Sequence, residues 1–295
     1  MQLEKIITLA NQPVRLRFLA MERSLRAVGC DLPLQVIPYN ENRFTLPANS
    51  SWWEMSGILP WLKQQNAHPA MGKYQCLTVS NYHYIDSDAI FLRNPAEVLA
   101  KEMGFITSCG HWHNPGETVT SESREILRKK STIWQRSIFN TGQFACDRAL
   151  YTESELKAVC LEPKLVNTCL RFPYHEQPGL VLLVNSTDVP LQNLTLPPIA
   201  MESTWAGDYP DEAFESTWHD PRRKPYLIHW AGCNMNTGRP IDRLFTDYLT
   251  KAEQAEWREE VALKARREAA SRGAVLHHLR KLVRGARAFC DVLKT

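Results

Sequence analysis

Two aspartates separated by one serine stand where an apolar segment of the sequence ends. Asp86, Ser87 and Asp88 lie between the apolar pairs at 84–85 and 90–91. As the chain leaves a sheet, both carboxylates can turn toward one hard cation, and Mg²⁺ or Mn²⁺ held in this way commonly bridges a protein to nucleotide phosphates. A solvated turn rich in Asp and Ser is the simpler interpretation. The apolar flanks favour a metal site, because solvated turns rarely lie inside apolar strands.

Further polar side chains interrupt apolar segments later in the sequence. Asn140 stands inside one such segment, and His229 ends another. An acid–amide pair, Glu176 and Gln177, directly precedes a third. Each has a purely structural alternative: a turn between strands for Asn140, the solvated start of a strand for the acid–amide pair, and a hydrogen-bonded core histidine for His229. The residues alone leave these alternatives open.

The order of these motifs resembles that of nucleotide-sugar glycosyltransferases with the GT-A fold. The resemblance rests on Asp-x-Asp at 86–88, Phe-Asn-Thr-Gly at 139–142, Glu-Gln at 176–177, and His-Trp-Ala-Gly at 229–232 followed by Arg239. It spans residues 5–249 and, in motif order, is most similar to the retaining glycosyltransferase family 8-like branch. It implies an α/β fold, a GT-A (Rossmann-like) mixed sheet flanked by helices. It also implies a metal-dependent enzyme that moves a sugar from a nucleoside diphosphate, by family analogy uridine diphosphate, to a hydroxyl of a glycan or lipid-linked glycan.

The resemblance also implies roles for individual residues. Asp86, Asp88 and His229 would hold the cation, Mn²⁺ or Mg²⁺. Glu176, with Gln177 beside it, would face the reacting centre. The nucleotide-sugar donor would contact Thr8, Ala10, Asn11, Tyr39, Lys73, Ser87, Asn140, Gly232 and Arg239. The sequence departs from the family pattern in three ways. A proline follows Gln177 where the family has a second acid, the spacing before the basic residue at 239 is longer than usual, and this residue is Arg where the family has Lys.

The chemistry of sugar transfer agrees with these roles. Breaking a sugar–phosphate bond leaves extra charge on a diphosphate, which a cation together with a Lys or Arg stabilises. The transition state resembles an oxocarbenium ion, so a nearby carboxylate stabilises it. If the reaction inverts configuration, Glu176 takes the acceptor proton; if it retains configuration, the leaving phosphate takes that proton and Glu176 positions the acceptor. The residues leave both mechanisms open, and a catalytically silent binding module on the same fold is the alternative function.

The elements that must position these residues alternate between apolar strands and helices. The sequence begins with a predicted strand at 5–10, a helix at 13–29 bracketed by Pro and Gly, and a strand at 34–37, an order typical of parallel α/β folds. Residues 121–130 are predicted as a solvated helix or loop, and the chain is predicted to be mainly helical from about 241. The remaining predicted strands lie at 77–85, 105–107, 138–146, 181–184 and 226–229.

Composition restricts the class of protein. The chain is 44% hydrophobic, which excludes a disordered or fibrous protein, and no apolar run approaches the ~18 residues of a membrane-spanning helix. The eight cysteines form no Cys-x-x-Cys pair, so we expect neither a zinc cluster nor a disulfide framework, and the setting is predicted to be the reducing cytoplasm.

The positive charge is concentrated at the C-terminal end. Residues 261–295 carry nine Lys or Arg and two acids, a net charge of +7 against +3 for the whole chain, so the preceding residues sum to −4. We therefore predict a glycosyltransferase domain at 1–250 and a basic amphipathic helical extension at 251–295. Its apolar face could lie on an anionic membrane at the inner face of the cell, or pack on the body or on a second subunit of a homo-oligomer. Nucleic acid is not an expected partner, because no recognition motif accompanies the basic residues. The apolar face consists of Val275, Leu276, Leu279, Leu282, Val283, Ala286 and Phe289.

Overall fold

The computed structural model describes residues 1–53, 57–113, 119–172, 176–210 and 214–267. The chain divides into two compact units, Met1–Tyr248 and Leu249–Thr295. In the second unit the described residues are helical from 251 to 267. Thr250 and Glu253 begin this helix with reciprocal hydrogen bonds of 2.8 and 3.3 Å between backbone and side chain. The predicted apolar face at 275–289 lies outside the described residues.

A mixed sheet with flanking helices forms the first unit, as predicted. Seven of the described strands pair in the order β3-β2-β1-β4-β7-β6-β8, and β5 and β9 form a separate antiparallel ribbon. The strands are β1 (Lys5–Ala10), β2 (Leu34–Pro38), β3 (Ser50–Trp52), β4 (Tyr82–Ile85), β5 (Ala89–Phe91), β6 (Phe105–Thr107), β7 (Gln143–Cys146), β8 (Leu191–Asn193) and β9 (Leu227–His229). The α-helices are α1 (Arg15–Ala27), α2 (Ile58–Gln64), α3 (Pro95–Val98), α4 (Ser121–Lys130), α5 (Glu153–Cys160), α6 (Val166–Leu170), α7 (Gln177–Asn185) and α8 (Arg243–Thr246).

Both faces of the sheet are buried. Ile7 and Ile37 belong to one hydrophobic cluster, whereas Ile6 and Val36 belong to another. Successive side chains of a strand point to opposite faces, so the two clusters cover the two sides of the sheet. Burial on both sides explains why β1 and β2 are continuous apolar runs without polar alternation.

The parallel strands bring their carboxyl ends to one edge. β1 is parallel to β2 and to β4, and β2 is parallel to β3. The residues that follow β1, β2 and β4 therefore meet at this edge, which is where ligands bind in open α/β sheets. The helix α1 begins there, ends at Ala27, and is followed by Gly29 with a φ of +77°, a left-handed conformation that glycine adopts without strain.

Three strand predictions need correction. Residues 181–184 lie in α7, not in a strand; all four are buried, so the helix shows no amphipathic periodicity that would distinguish it from a buried strand. The predicted strand 77–85 is a 3₁₀-helix at Pro69–Thr78 followed by β4, and only the last four residues of 138–146 form a strand, β7. The segment at 121–130 is the helix α4, which Thr120 caps by accepting from the backbone of Ser123.

Candidate active site

A cavity of about 410 Å³ opens at the carboxyl edge of the sheet. Eight of the residues singled out from the sequence line it: Ala10, Asn11, Tyr39, Lys73, Asp86, Ser87, Asp88 and Glu176. They come from the ends of β1, β2 and β4, from the 3₁₀-helix Pro69–Thr78 and from the start of α7. Leu9, Pro13, Val14, Arg17 and Ala70 complete the lining.

Three potential metal ligands converge beside this cavity. Asp86, Asp88 and His229 each offer one ligand atom, and these atoms lie within 4.8 Å of one another. His229 Nε2 is 3.2 Å from Asp88 Oδ1 and 3.9 Å from Asp86 Oδ2. Two carboxylates and one imidazole suit Mn²⁺, and with additional water or phosphate oxygens they also suit Mg²⁺.

The charges within this group support each other. Burial alone would lower the pKa of the His229 imidazole, but the carboxylates of Asp88 and Asp86 outweigh burial and raise it. Burial likewise opposes ionisation of Asp88, yet the hydrogen-bonded His229 lowers the pKa of this carboxyl to about 2. Asp88 is therefore a carboxylate at neutral pH, the form in which it can bind a cation.

Strand pairing places His229 opposite the two aspartates. The antiparallel ribbon pairs Ala89 in β5 with His229 in β9, and the Trp230 N–H donates to the carbonyl of Asp88 at 2.9 Å. On the other side, the Tyr84 hydroxyl donates to Asp86 Oδ1 at 2.5 Å. The ligand group therefore depends on two elements that are far apart in the sequence, the turn after β4 and the end of β9.

The Asn140-Thr141-Gly142 segment forms a turn that supports the potential metal ligands. Asn140 Oδ1 accepts from the Gly142 N–H at 2.8 Å, and the Asp86 N–H donates to the Gly142 carbonyl at 2.7 Å. A Cβ atom at Gly142 would lie 2.0 Å from His229 Cε1 and 2.8 Å from Asp86 Oδ2, so a side chain there would displace one or both of these groups. Asn140 Nδ2 also donates to Gln177 Oε1 at 3.0 Å, which joins this turn to the start of α7.

A buried ionic group joins one of the potential metal ligands, Asp86, to the start of α7. The Lys73 ammonium is 2.6 Å from Glu176 Oε1 and 3.1 Å from Asp86 Oδ1, and the Lys73 side chain is 3% exposed. Thr141 Oγ1 donates to the same Glu176 oxygen at 2.6 Å. Burial opposes the charge on Lys73, but the two carboxylates outweigh it and raise the lysine pKa. Burial also opposes the charge on Glu176, and Lys73 and Thr141 reverse this and lower the pKa of its carboxyl.

This environment limits what Glu176 can do. Its carboxylate is 8% exposed and already accepts from an ammonium and a hydroxyl. A carboxylate with a lowered pKa is a weak proton acceptor, because general-base catalysis is most effective when the pKa lies near the working pH. The geometry therefore favours a fixed negative charge over a general base at this position.

Four predicted donor contacts do not line the cavity: Asn140, which lies in the turn described above, and Thr8, Gly232 and Arg239. Thr8 is fully buried within β1, and its Oγ1 finds no hydrogen-bond partner among the described residues. Gly232 occupies a left-handed turn after β9, with a φ of +65°. The Arg239 guanidinium binds within its own region: it pairs with Asp242 at 3.0 Å and donates to the carbonyl of Ala206 and to other nearby oxygens.

Arg17 and Thr141 contribute to the site but were not singled out from the sequence. Arg17 lies in the first turn of α1 and lines the cavity, and its positive charge lowers the pKa of Asp88. Its position in the sequence could have identified it, because side chains in the first turn of a helix point back toward the helix N-terminus, which here lies at the carboxyl edge of the sheet. Thr141 had no comparable signal, because its contact with Glu176 joins two segments that are distant in the sequence.

Comparison with known proteins identifies the fold. Neither a scan against models of protein families nor a search of curated proteins finds a match. Among solved structures, the bifunctional glycosyltransferase WbbM aligns with a TM-score of 0.54 at 13% identity, covering 87% of this chain and 51% of that one. The galactosyltransferase LgtC, in complex with donor and acceptor sugar analogs, aligns with a TM-score of 0.51 at 12% identity, covering 87% and 99%.

A third alignment agrees with the first two. The apo form of the glycosyltransferase GlyE from Streptococcus pneumoniae TIGR4 has a TM-score of 0.50 at 11% identity, covering 88% of this chain and 64% of that one. At these identities the likeness is one of fold. The chain spans about half the length of WbbM and most of LgtC. The α/β fold expected from the motif order, that of the GT-A glycosyltransferases, is confirmed.

Proposed function

We propose that this protein is a metal-dependent glycosyltransferase that moves a sugar from a nucleoside diphosphate to a hydroxyl of a glycan or lipid-linked glycan. One observation carries the proposal: Asp86, Asp88 and His229 converge beside a cavity at the carboxyl edge of a GT-A fold. The aligned structures WbbM, LgtC and GlyE are glycosyltransferases, and LgtC was solved with donor and acceptor sugar analogs, which supports the same chemistry here.

We assign the parts of a nucleotide sugar to different residues of the cavity. Asn11 and Tyr39, at the ends of β1 and β2, would contact the nucleoside, and Ala10 lines the same cavity. Asp86 and Asp88, with His229, would hold Mn²⁺ or Mg²⁺, which when bound supplies positive charge to the leaving diphosphate. Ser87 lies between the two aspartates and lines the same cavity.

We assign the phosphate-facing cation to Arg17. It lines the cavity beside Asp88, and its guanidinium suits bidentate contact with phosphate oxygens. Arg239, the residue that the family resemblance favours, is held by Asp242 and by the Ala206 carbonyl away from this cavity. Lys73 is tied to Asp86 and Glu176, so its role is to hold both carboxylates in place.

The environment of Glu176 supports a retaining mechanism. In that mechanism the leaving phosphate takes the acceptor proton, and the protein has no need of a general base. A fixed carboxylate near the anomeric carbon would stabilise the positive charge that develops on the sugar. Gln177 accepts from the Asn140 amide and from the Thr141 N–H, at 3.0 and 3.3 Å. These hydrogen bonds hold the start of α7 against the turn at 140–142, which contacts the proposed metal ligands.

The basic C-terminal sequence supports a membrane-bound acceptor. Residues 261–295 have a net charge of +7, and apolar residues recur at helical spacing from 275 to 289. Basic amphipathic helices bind anionic bilayers, and each Lys or Arg near the surface contributes about 1 kcal/mol. Such attachment would bring the catalytic domain to a lipid-linked glycan.

The test of the proposed function is turnover of a nucleotide sugar. The purified full-length chain is incubated with uridine, guanosine and thymidine diphosphate sugars, with Mn²⁺ or with EDTA, and the released nucleotide is measured. We expect hydrolysis or transfer that requires the cation and is lost in Asp88→Asn. Asp188→Asn is the matched control, because Asp188 lies in an exposed loop before β8 and does not line the cavity.

Two results would contradict the proposal. Wild-type turnover in Asp88→Asn would remove the metal assignment. Binding of a nucleotide sugar, seen as a rise in melting temperature, without turnover of any sugar in the panel would instead favour the catalytically silent binding module.

A further inference from the structure

An exposed tryptophan stands beside the strand that carries the histidine ligand. In the described part of the chain, Trp205 is the one aromatic residue among the exposed large hydrophobic side chains, with 40% of its surface exposed. Its backbone forms a parallel β-bridge with His229, whose N–H donates to the carbonyl of Thr204 at 2.8 Å. Residues paired across a bridge project to the same face, so the indole and the imidazole rise on the same side.

The indole ring is held in one orientation. Its Nε1–H donates to the carbonyl of Ala231 at 2.9 Å. The six-membered ring lies over Gly207, where a Cβ atom would come within 2.4 Å of Cη2 and Cζ2. Because the absence of a side chain at 207 allows this contact, the ring is fixed before any ligand arrives, and a ligand stacking on it loses little conformational entropy of the protein.

Arg239 braces the loop that carries the tryptophan. Its Nη1 donates to the carbonyl of Ala206 at 3.1 Å, and its Nη2 binds Asp242 at 3.0 Å. Asp242 also accepts from the indole N–H of Trp230 at 2.9 Å, directly after β9. Arg239 and Asp242 thus tie the loop at 205–208 to the end of the strand that bears His229.

We propose that Trp205 is a stacking platform for the sugar of the acceptor. A pyranose ring has a face of C–H groups that packs on an aromatic ring while its hydroxyls stay in water, and tryptophan offers the largest such surface. Trp205 does not line the cavity assigned to the donor, and its backbone pairs with His229 at the end of β9, whereas the donor nucleoside is assigned to the ends of β1 and β2. A sugar on this ring would therefore approach the reacting centre from the β9 side and leave the ends of β1 and β2 to the nucleoside.

This inference rests on the proposed function but is measured by binding as well as by turnover. The full-length protein, with uridine diphosphate and Mn²⁺, is mixed with methyl glycosides of glucose, galactose, mannose, N-acetylglucosamine and rhamnose. Saturation-transfer NMR is then recorded for wild type, Trp205→Ala, Trp205→Phe and the control Leu161→Ala. Leu161 is 48% exposed and follows α5, away from the site residues.

We expect at least one glycoside to receive saturation mainly on the C–H groups of one ring face. That signal should fall about tenfold in Trp205→Ala, the upper range for loss of an aromatic stacking contact. It should be partly retained in Trp205→Phe and unchanged in Leu161→Ala. No signal from any glycoside on wild type, or an equal signal in Trp205→Ala, would overturn the assignment and leave this ring as a contact for a protein partner.

Kinetics separate this inference from the function on which it rests. With a glycoside that binds and a nucleotide sugar that is turned over, Trp205→Ala should raise the KM for the glycoside about tenfold and change kcat much less. A fall in kcat at unchanged KM would contradict the platform. If wild type turns over no nucleotide sugar, the proposed function fails, while the NMR comparison still decides whether Trp205 binds a sugar.

Discussion

Replacing Gly142 with alanine should disable the proposed metal site while leaving the fold in place. A Cβ atom at this position would lie 2.0 Å from His229 Cε1 and 2.7 Å from Nε2. Ordinary van der Waals contact begins at 3.4 Å, so the imidazole carbon must move by the difference, about 1.4 Å. Metal–ligand distances tolerate deviations of only about 0.2 Å. The displaced imidazole therefore cannot bind the same cation as Asp86 and Asp88.

The expected losses can be worked out separately for metal binding and for folding. Perturbing the shell around a metal site costs about 10- to 100-fold in affinity, and this equals about 1.4–2.8 kcal/mol. Overpacking a well-filled interior costs about 1–3 kcal/mol of unfolding free energy. In a domain of about 250 residues that loss lowers Tm by roughly 2–12 °C. Gly142→Ala should therefore fold at room temperature and bind Mn²⁺ at least tenfold more weakly.

Electron paramagnetic resonance of free Mn²⁺ measures the affinity directly. Wild type, Gly142→Ala and Gly110→Ala are titrated with Mn²⁺ in the presence of uridine diphosphate, and thermal unfolding is followed in parallel. Gly110 is the matched control, because the nearest atom to a Cβ there is His113 Cδ2 at 3.8 Å. Equal Mn²⁺ affinity in wild type and Gly142→Ala would refute the argument that this glycine makes room for the histidine ligand.

Three other predictions follow from the site and from the C-terminal sequence. Arg17→Ala should weaken binding of uridine diphosphate about tenfold, because one charge-assisted contact is lost, whereas Arg239→Ala should weaken it less. Calorimetry measures both affinities, and a larger loss in Arg239→Ala would return the phosphate role to Arg239. Burial opposes the charge on Glu176, but Lys73 and Thr141 outweigh burial and hold the pKa of its carboxyl below the ordinary value of 4.5. The contribution of Glu176 to the free energy of unfolding is therefore complete above pH 4.5 and is lost as the pH falls through its lowered pKa in the folded state. Denaturant titrations from pH 7 to 3 should show this loss in wild type and less of it in Glu176→Gln, and parallel pH curves would contradict the ion pair. Liposomes of anionic lipid should co-sediment the full chain but not a version ending at residue 267, and equal partitioning of both would exclude 268–295 as the anchor.

The sequence was most informative about elements with clear boundary residues and about motifs that occur in a recognisable order. The start β1-α1-β2 was predictable because Pro13, Gly29 and two β-branched runs mark its boundaries. The fold class followed from the order of four motifs. The roles assigned to individual site residues stay predictions, although eight of those residues line one cavity and His229 lies beside two of them.

Other features could not be read from the sequence, for physical reasons. The apolar run at 181–184 belongs to α7, and a segment buried all round carries no periodicity to separate helix from strand. The contact of Lys73 with Glu176 joins residues about one hundred positions apart through tertiary packing, so neither residue indicates the other. The ion pair of Arg239 with Asp242 lies only three residues apart, yet the sequence does not show whether an arginine faces a ligand or its own loop.

The ribbon of β5 and β9 has a consequence for how the protein reaches its active form. Asp88 and His229 are separated by 141 residues, and their contact exists only once this ribbon has closed. Closing so long a loop is entropically costly, and the proposed ligand group is incomplete until β9 pairs with β5. During synthesis the two aspartates emerge well before the histidine, so a nascent or truncated chain has an incomplete ligand set. If the proposed site binds a cation, binding would report completion of the domain, and by mass action the bound cation would stabilise the closed ribbon against local opening.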